Sequence, residues 1–486
     1  MSRAFELEEA TIASVHEAFA DGALTCSALA EAYLARIAAL DQQGPKLNAV
    51  ITLNPRALEI AGGMDTAWRD NRAACGPLHG IPILLKDNFD TADMPTTGSA
   101  LALKESRPRK DAFTVARLKA AGALVLAKTA LTELAMGGTT CGSLHGQTLN
   151  PYDLTRTPGG SSGGTGAGIA ANYAVVGTGS DTYQSIRSPS SACALTGLRG
   201  TRGLVSRSGL IPFSFTQDEA GPIARTAADL ARTLDVMAGF DIADPITEAA
   251  VGHIPKTYTA FLDPGALKGK RFGVLRQMFG RDVVHAEVNR VMARVLDKIQ
   301  ELGAAVVDVE IPDLEALTTD VGLADYELRA GLDKYLADVD GPVNSFDAYV
   351  AHGSFVPTIA GQVRAAQAKN MWDPAYGGIF TKRSNLRKAL QAAMSQNNYN
   401  ALVYPHQRRL VAKTGEEQLE RNGVLANASG LPAITVPGGF SAPSAEAPLG
   451  VPVGVEFLAR EWSEGPLIGI AHALEQAAKY RRPPKL

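Results

Sequence analysis

Cysteine is scarce in this chain: four in 486 residues, Cys26, Cys75, Cys141 and Cys193. No two of them form a CxxC pair and none has zinc-ligand spacing. That excludes a disulfide scaffold and a zinc ribbon, and fits reduced thiols in a cytoplasmic protein. An excess of one charge is also missing. A formal net charge of −3 predicts neither nucleic acid nor an anionic membrane as partner. No apolar run reaches the roughly eighteen residues of a spanning helix. The start, Met1-Ser2-Arg3-Ala4-Phe5-Glu6, lacks the apolar core of a secretory signal. The expectation is a cytoplasmic globular protein.

What is present is a composition that can bury a large core: 45% of residues are hydrophobic and 20% charged. Residues 6–40 read as two helices, the second capped by Thr25, and a further helix follows Pro55. The run from His79 to Asp87 is a short apolar strand that stops at Lys86. A helix over 113–121 and a strand over 123–128 come next. Helix is expected again over 169–174, strand over 175–177, and loop over 209–224. Residues 240–269 read as irregular. Strands over 271–275 and 305–309 flank an amphipathic helix over 285–303. Residues 314–400 read as helical, with strands at 401–404 and 433–436 and a closing helix over 467–480. This alternation predicts an α/β fold, a large mixed sheet surrounded by helices. It forms one domain over 1–486, with a mostly helical variable part over 240–400 shaping the pocket. The linker-like stretch 441–448 is too short to divide it.

The densest local signal runs from Thr157 to Pro189, where glycines crowd between Ser161-Ser162 and Ser185. Glycines this dense serve tight turns and close backbone approach. A phosphate loop would need Gly-Lys-Ser/Thr, which is absent. A nucleophile elbow would need a strand leading into it, but Pro151 and Pro158 make the approach a poor strand. Its base would have to be His406 or His472, neither in a suggestive setting. The remaining reading joins the two serine sites. A serine hydroxyl needs a base to take its proton, and a lysine serves only when burial keeps it neutral. Lys86, ending an apolar strand, is the lysine best placed for that.

Ile81-Pro-Ile-Leu-Leu-Lys86-Asp-Asn, Pro158-Gly-Gly-Ser161-Ser-Gly-Gly and Asp181-x-x-x-Ser185-Ile-Arg-x-Pro together resemble the amidase signature family. So do Lys128-Thr-x-Leu-Thr-Glu133-Leu-Ala-Met-Gly-Gly138, Ala220-Gly-Pro-Ile-Ala-Arg225-Thr and Gly430-Leu-Pro-Ala-Ile-Thr-Val-Pro437. The resemblance implies that Ser185 is the nucleophile, Ser161 the bridging serine joined to Gly160 by a cis peptide, and Lys86 the base. The family's spacing from bridge to nucleophile selects Ser161 over Ser162. Backbone N–H groups of Thr182, Tyr183, Gln184 and Ser185 would form the oxyanion hole. Asp181 and Arg187 read as structural pins, and Ser162 as a supporting hydrogen-bond partner. Met136, Gly137, Gly138, Tyr183, Gln184 and Phe213 are the expected pocket residues, and Phe215, Trp372 and Tyr376 are further aromatic candidates. Cys141 and His145 read as structural.

The implied activity is hydrolysis of C–N bonds next to a carbonyl, in amides, anilides or carbamates, with related esters as side substrates. It proceeds through a seryl acyl-enzyme with no metal and no cofactor, in a monomer or homodimer acting on small molecules. One departure stands out: the family has two glycines before the nucleophile where this chain has Tyr183-Gln184. That exchange keeps the backbone donors and is expected to reshape substrate choice. Two other readings stay open, a component that amidates misacylated transfer RNA with partner proteins and a family-fold binding protein disabled by the exchange.

Overall fold

The computed structural model describes residues 5–486. Its strands are β1 (Val50–Leu53), β2 (Pro82–Lys86), β3 (Leu124–Thr129), β4 (Cys141–Gly142), β5 (Gly146–Gln147), β6 (Val176–Ser180) and β7 (Thr196–Arg199). They continue as β8 (Ala220–Ala224), β9 (Arg271–Leu275), β10 (Ala305–Val309), β11 (Ala401–Pro405), β12 (Ala433–Phe440) and β13 (Pro452–Leu458). Apart from the β4–β5 pair, they form one sheet of 11 strands in the order β1-β3-β2-β6-β8-β7-β12-β13-β11-β9-β10. β2 runs parallel to β3 and to β6, and β9 parallel to β10 and to β11, while the strands between β6 and β11 pair antiparallel. The sheet is therefore mixed, with helices on its faces, as the alternation of elements predicts.

Local chemistry accounts for the helices. Thr25 Oγ1 accepts the N–H of Ala28 and caps the helix Cys26–Leu40. The helix Ala286–Glu301 buries Val288, Val291, Met292, Val295, Leu296 and Ile299, one stripe at helical spacing. The structure differs from the sequence reading in several places: β1, β7 and β13 fall where no strand is expected, and two further stretches change character. The helix expected over 169–174 lies earlier, at Gly163–Ala170, on the glycine run itself. The stretch 209–224 ends not as loop but in β8, fully buried between β6 and β7.

The glycines of that helix are dictated by packing. An added Cβ on Gly164 would stand 2.4 Å from the Ala130 carbonyl oxygen, and one on Gly168 2.7 Å from Leu84 Cδ1. Only a bare backbone lets this helix lie so close to the ends of β2 and β3.

Within 240–400, β9 and β10 join the main sheet, and five helices follow between Leu314 and Gln396. Ala324, Leu328 and Leu332 of the second helix pack in one cluster with Leu134, Met136, Ile211 and Phe213. Leu386, Leu390 and Met394 of the fifth pack with Leu402 and Leu425. Among the described residues no helix is long and apolar enough to cross a membrane.

Candidate active site

Because β2 and β6 are parallel neighbours, both present their C-terminal ends at the same edge of the sheet. In open α/β sheets this is where ligands bind. Lys86 ends β2 with no exposure, and Ser180 ends β6. Lys86 Nζ lies 2.7 Å from Ser161 Oγ, 2.8 Å from Ser180 Oγ and 3.4 Å from the Ser180 carbonyl oxygen. Asn88 Nδ2 donates to Ser180 Oγ at 3.0 Å. The next residue, Asp87, pairs instead with Lys128 at 3.1 Å, both fully buried. Lys86 is thus left among hydroxyls with no carboxylate partner of its own. Burial pushes its amine down to about 7, although Asp181 and Asp218 pull the other way. A lysine that is substantially neutral near pH 7 can accept a proton.

Ser161 is set by a peptide that is cis at Gly160–Ser161. Thr140 Oγ1 donates to the Gly159 carbonyl at 2.7 Å and accepts from Gly163 N–H at 3.1 Å, and the Ser161 carbonyl accepts from Thr132 N–H at 3.1 Å. Gly159 has φ +73°, and an added Cβ on Gly160 would meet the Gly138 carbonyl carbon at 2.8 Å. These glycines serve the left-handed turn and the close approach.

The loop that carries Ser185 is tied to this turn. Ser162 N–H donates to the Ser185 carbonyl at 3.2 Å, and Ser162 Oγ donates to the Ser180 carbonyl at 3.2 Å. The backbone N–H groups of Thr182, Tyr183, Gln184 and Ser185 donate to no protein acceptor among the described residues. Buried N–H groups are nearly always paired, so four successive free donors on a buried loop make a ready oxyanion cradle.

The loop is rigid because of what lies beneath it. Asp181 meets Arg187 Nε at 3.1 Å and Arg199 Nη1 at 2.9 Å and accepts from Ile186 N–H at 3.1 Å. Burial alone would raise the Asp181 carboxyl, but Arg187 and Arg199 hold it well below the usual range. Arg187 Nη1 reaches Glu456 at 2.6 Å, and Glu456 takes His406 Nδ1 at 2.6 Å and the Tyr404 hydroxyl at 2.9 Å. His406 therefore belongs to the support beneath the loop. It bonds no serine hydroxyl.

Neither Tyr183 nor Gln184 has positive φ, so these side chains replace glycine without backbone strain. The Tyr183 ring packs edge-on to Phe213 with centroids 6.1 Å apart, facing the helical part. Met136 and Phe213 are buried in the cluster shared with those helices, and Gly138 backs onto Gly160. Trp372 is 91% exposed and Phe215 is also exposed, so both stand at the surface. Cys141 and His145 carry no sign of reactivity. Burial and then Glu133 push the thiol up, and burial lowers the imidazole to about 4. Sequence reasoning missed Ser180, Asn88, Asp218 (which accepts from Thr182 Oγ1 at 2.6 Å), Glu456 and Arg421. Ser180, adjoining Asp181, and Asn88, which closes the Lys86 motif, carried signals that could have found them.

A hydrolase class follows from this geometry: a buried, partly neutral lysine bonded to a serine hydroxyl, beside a serine-bearing loop with free backbone donors. The chain belongs to the amidase family, whose model, described as Amidase, matches residues 28–468. It is 32% identical to a glutamyl-tRNA(Gln) amidotransferase component from Acinetobacter baumannii, over 97% of this chain and 96% of that one. It is 34% identical to a probable amidase of Arabidopsis thaliana, over 100% of this chain and 93% of the other. Among solved structures, the peptide amidase of Stenotrophomonas maltophilia superposes with a TM-score of 0.89 at 38% identity, covering 98% of this chain and 99% of that one. The large mixed sheet with surrounding helices is the fold of these enzymes.

Proposed function

We propose that this protein hydrolyses the C–N bond of carboxamides, with Ser185 as nucleophile, Ser161 as proton bridge and Lys86 as base. The observation that carries the reading is the 2.7 Å contact between Lys86 Nζ and Ser161 Oγ, made by a lysine that burial lowers to about 7. Ser185 Oγ attacks the carbonyl while its proton passes through Ser161 to neutral Lys86. The N–H groups of residues 182–185 take the oxyanion, each well-aimed donor contributing about 3 kcal/mol. The relay then returns the proton to the leaving nitrogen, and water, activated the same way, cleaves the acyl-enzyme. Asp181 and Arg187 hold the loop, Ser162 couples it to the bridge, and no metal or cofactor enters a step. Met136, Gly137, Gly138, Tyr183, Gln184 and Phe213 line the substrate side, with the 240–400 helices forming one wall of a single domain. Aryl amides, carbamates and esters are further substrates of the same chemistry.

The relatives that serve in amidotransferases favour a second reading, amide transfer within an assembly acting on transfer RNA. A panel of aryl amide, aliphatic amide, carbamate and ester, given to the purified single chain and to Ser185→Ala, separates the two. The hydrolase reading expects turnover by the chain alone and a loss of about 10⁴-fold or more in the variant. No turnover of any member would refute it.

A further inference from the structure

Arg421 carries a charge with no countercharge. It reaches the site from the loop after β11, and an added Cβ on Gly138 would stand 2.9 Å from its guanidinium carbon. On its other side is Gln184. With the amide oriented to satisfy its hydrogen bonds, Gln184 Oε1 accepts from Arg421 Nε at 2.7 Å and Nη1 at 3.1 Å. Gly138 backs the residue before the bridging serine, and Gln184 directly precedes the nucleophile. The guanidinium therefore contacts the residue before Ser185 and the glycine that packs on Gly160.

The acids nearby are engaged elsewhere. The Glu420 carboxylate is taken by Arg409 and, at 3.2 Å, by His285 Nε2. Glu417 attracts Arg421 across a distance without pairing with it, and none of the ion pairs among the described residues includes Arg421. Arg187, Arg207 and Arg481 pair directly with carboxylates, and the buried Arg225 and Arg383 give their donors to backbone carbonyls; Arg421 has neither kind of partner among the described residues. Arg421 is half-buried, and a guanidinium that gives up part of its water without an anion is held at a cost. The neutral Gln184 amide holds it in place but leaves its charge and its Nη2 donors without a protein partner.

Resting on the hydrolase reading above, we propose that Arg421 sets specificity by receiving a carboxylate of the substrate. The preferred substrates are then amides that bear a carboxylate within a few bonds of the scissile carbonyl. The planar fork of N–H donors matches a carboxylate in two parallel bonds. A substrate carboxylate also supplies the charge that the protein withholds. The Tyr183-Gln184 departure gains a purpose here, because glycine at 184 would leave Arg421 without its anchor.

The test measures binding without turnover, by titration calorimetry on Ser185→Ala protein. Two matched pairs differ only in a carboxylate: N-benzylsuccinamate against N-benzylbutyramide on the acyl side, and N-butyrylphenylalanine against N-butyrylphenethylamine on the amine side. In at least one pair the carboxylate member binds about tenfold tighter or better, a preference of about 1.4 kcal/mol. Adding Arg421→Met reduces that preference to less than about twofold, and Arg421→Lys retains part of it. If neither pair favours the carboxylate, or the preference survives Arg421→Met, the proposal is overturned. Should Arg421→Met not fold, the comparison in Ser185→Ala alone decides. Binding preference without any wild-type turnover would sink the hydrolase reading and leave this one standing; turnover without the preference would do the reverse.

Discussion

Lys86 is where burial becomes chemistry. Its strand is buried along its whole length, its nearest partners are hydroxyls, and the adjoining Asp87 is committed to Lys128. A lysine so placed loses its proton near pH 7 rather than near its ordinary 10.5. The sign of the pH dependence follows. Below about 7 Lys86 is protonated and cannot accept the Ser161 proton, so kcat/KM falls with acidity, tenfold per pH unit once well below that value. The acidic limb of the pH–rate profile should bend close to 7. A limb that kept rising towards about 10 would mean that Lys86 is an ordinary ammonium and the base lies elsewhere. Much at this scale was legible in the sequence, since Lys86, Ser161 and Ser185 each sit in a run with its own glycine or apolar signature. Glu456 and Arg421 were not, because each acts through residues more than two hundred positions away, and no local pattern marks such a partner.

Among the elements, the helix Gly163–Ala170 departs furthest from what propensity alone predicts. Glycine costs about 1 kcal/mol relative to alanine inside a helix, and a reading by propensity moves the helix downstream to the apolar residues. Packing overrides that preference, because the helix must lie against Ala130 and Leu84 to set Ser161 and Ser162 beside β2 and β6. Gly164→Ala places a methyl 2.4 Å from the Ala130 carbonyl oxygen and 2.6 Å from that of Ala49. It should destabilise the protein by about 1–3 kcal/mol despite the better helix former. Gly63, exposed in the helix Ala57–Asn71 with nothing within 4 Å of an added Cβ, is the control. There alanine should stabilise by up to about 1 kcal/mol. Denaturant midpoints of the two variants should shift in opposite directions; a shift of the same sign would remove packing as the reason for the glycines. The same override hid β8, whose Ala-Gly-Pro-Ile-Ala sequence has little strand propensity and is a strand because β6 and β7 enclose it.

For the whole molecule, the order of elements in the sequence was enough to read a mixed sheet wrapped by helices, while the strand order was not, since pairing across the sheet is set by contacts far apart in the chain. That order brings the ends of β2 and β6 side by side and closes the site with helices from residues 314–396. The sheet positions Lys86, the glycine turn positions Ser161, the buried Asp181–Arg187–Glu456 network fixes the loop that carries Ser185, and the helical part packs beside Tyr183 and Phe213. The account requires that all of these converge on one hydroxyl. Intact-mass measurement after exposure to an aryl acylphosphonate, followed by peptide mapping, tests that convergence most directly. The account predicts a single adduct on the peptide containing Ser185, absent in Ser185→Ala and formed far more slowly in Lys86→Ala. Labelling of Ser161, Ser162 or Cys141 in place of Ser185, or equal labelling in Lys86→Ala, would contradict it.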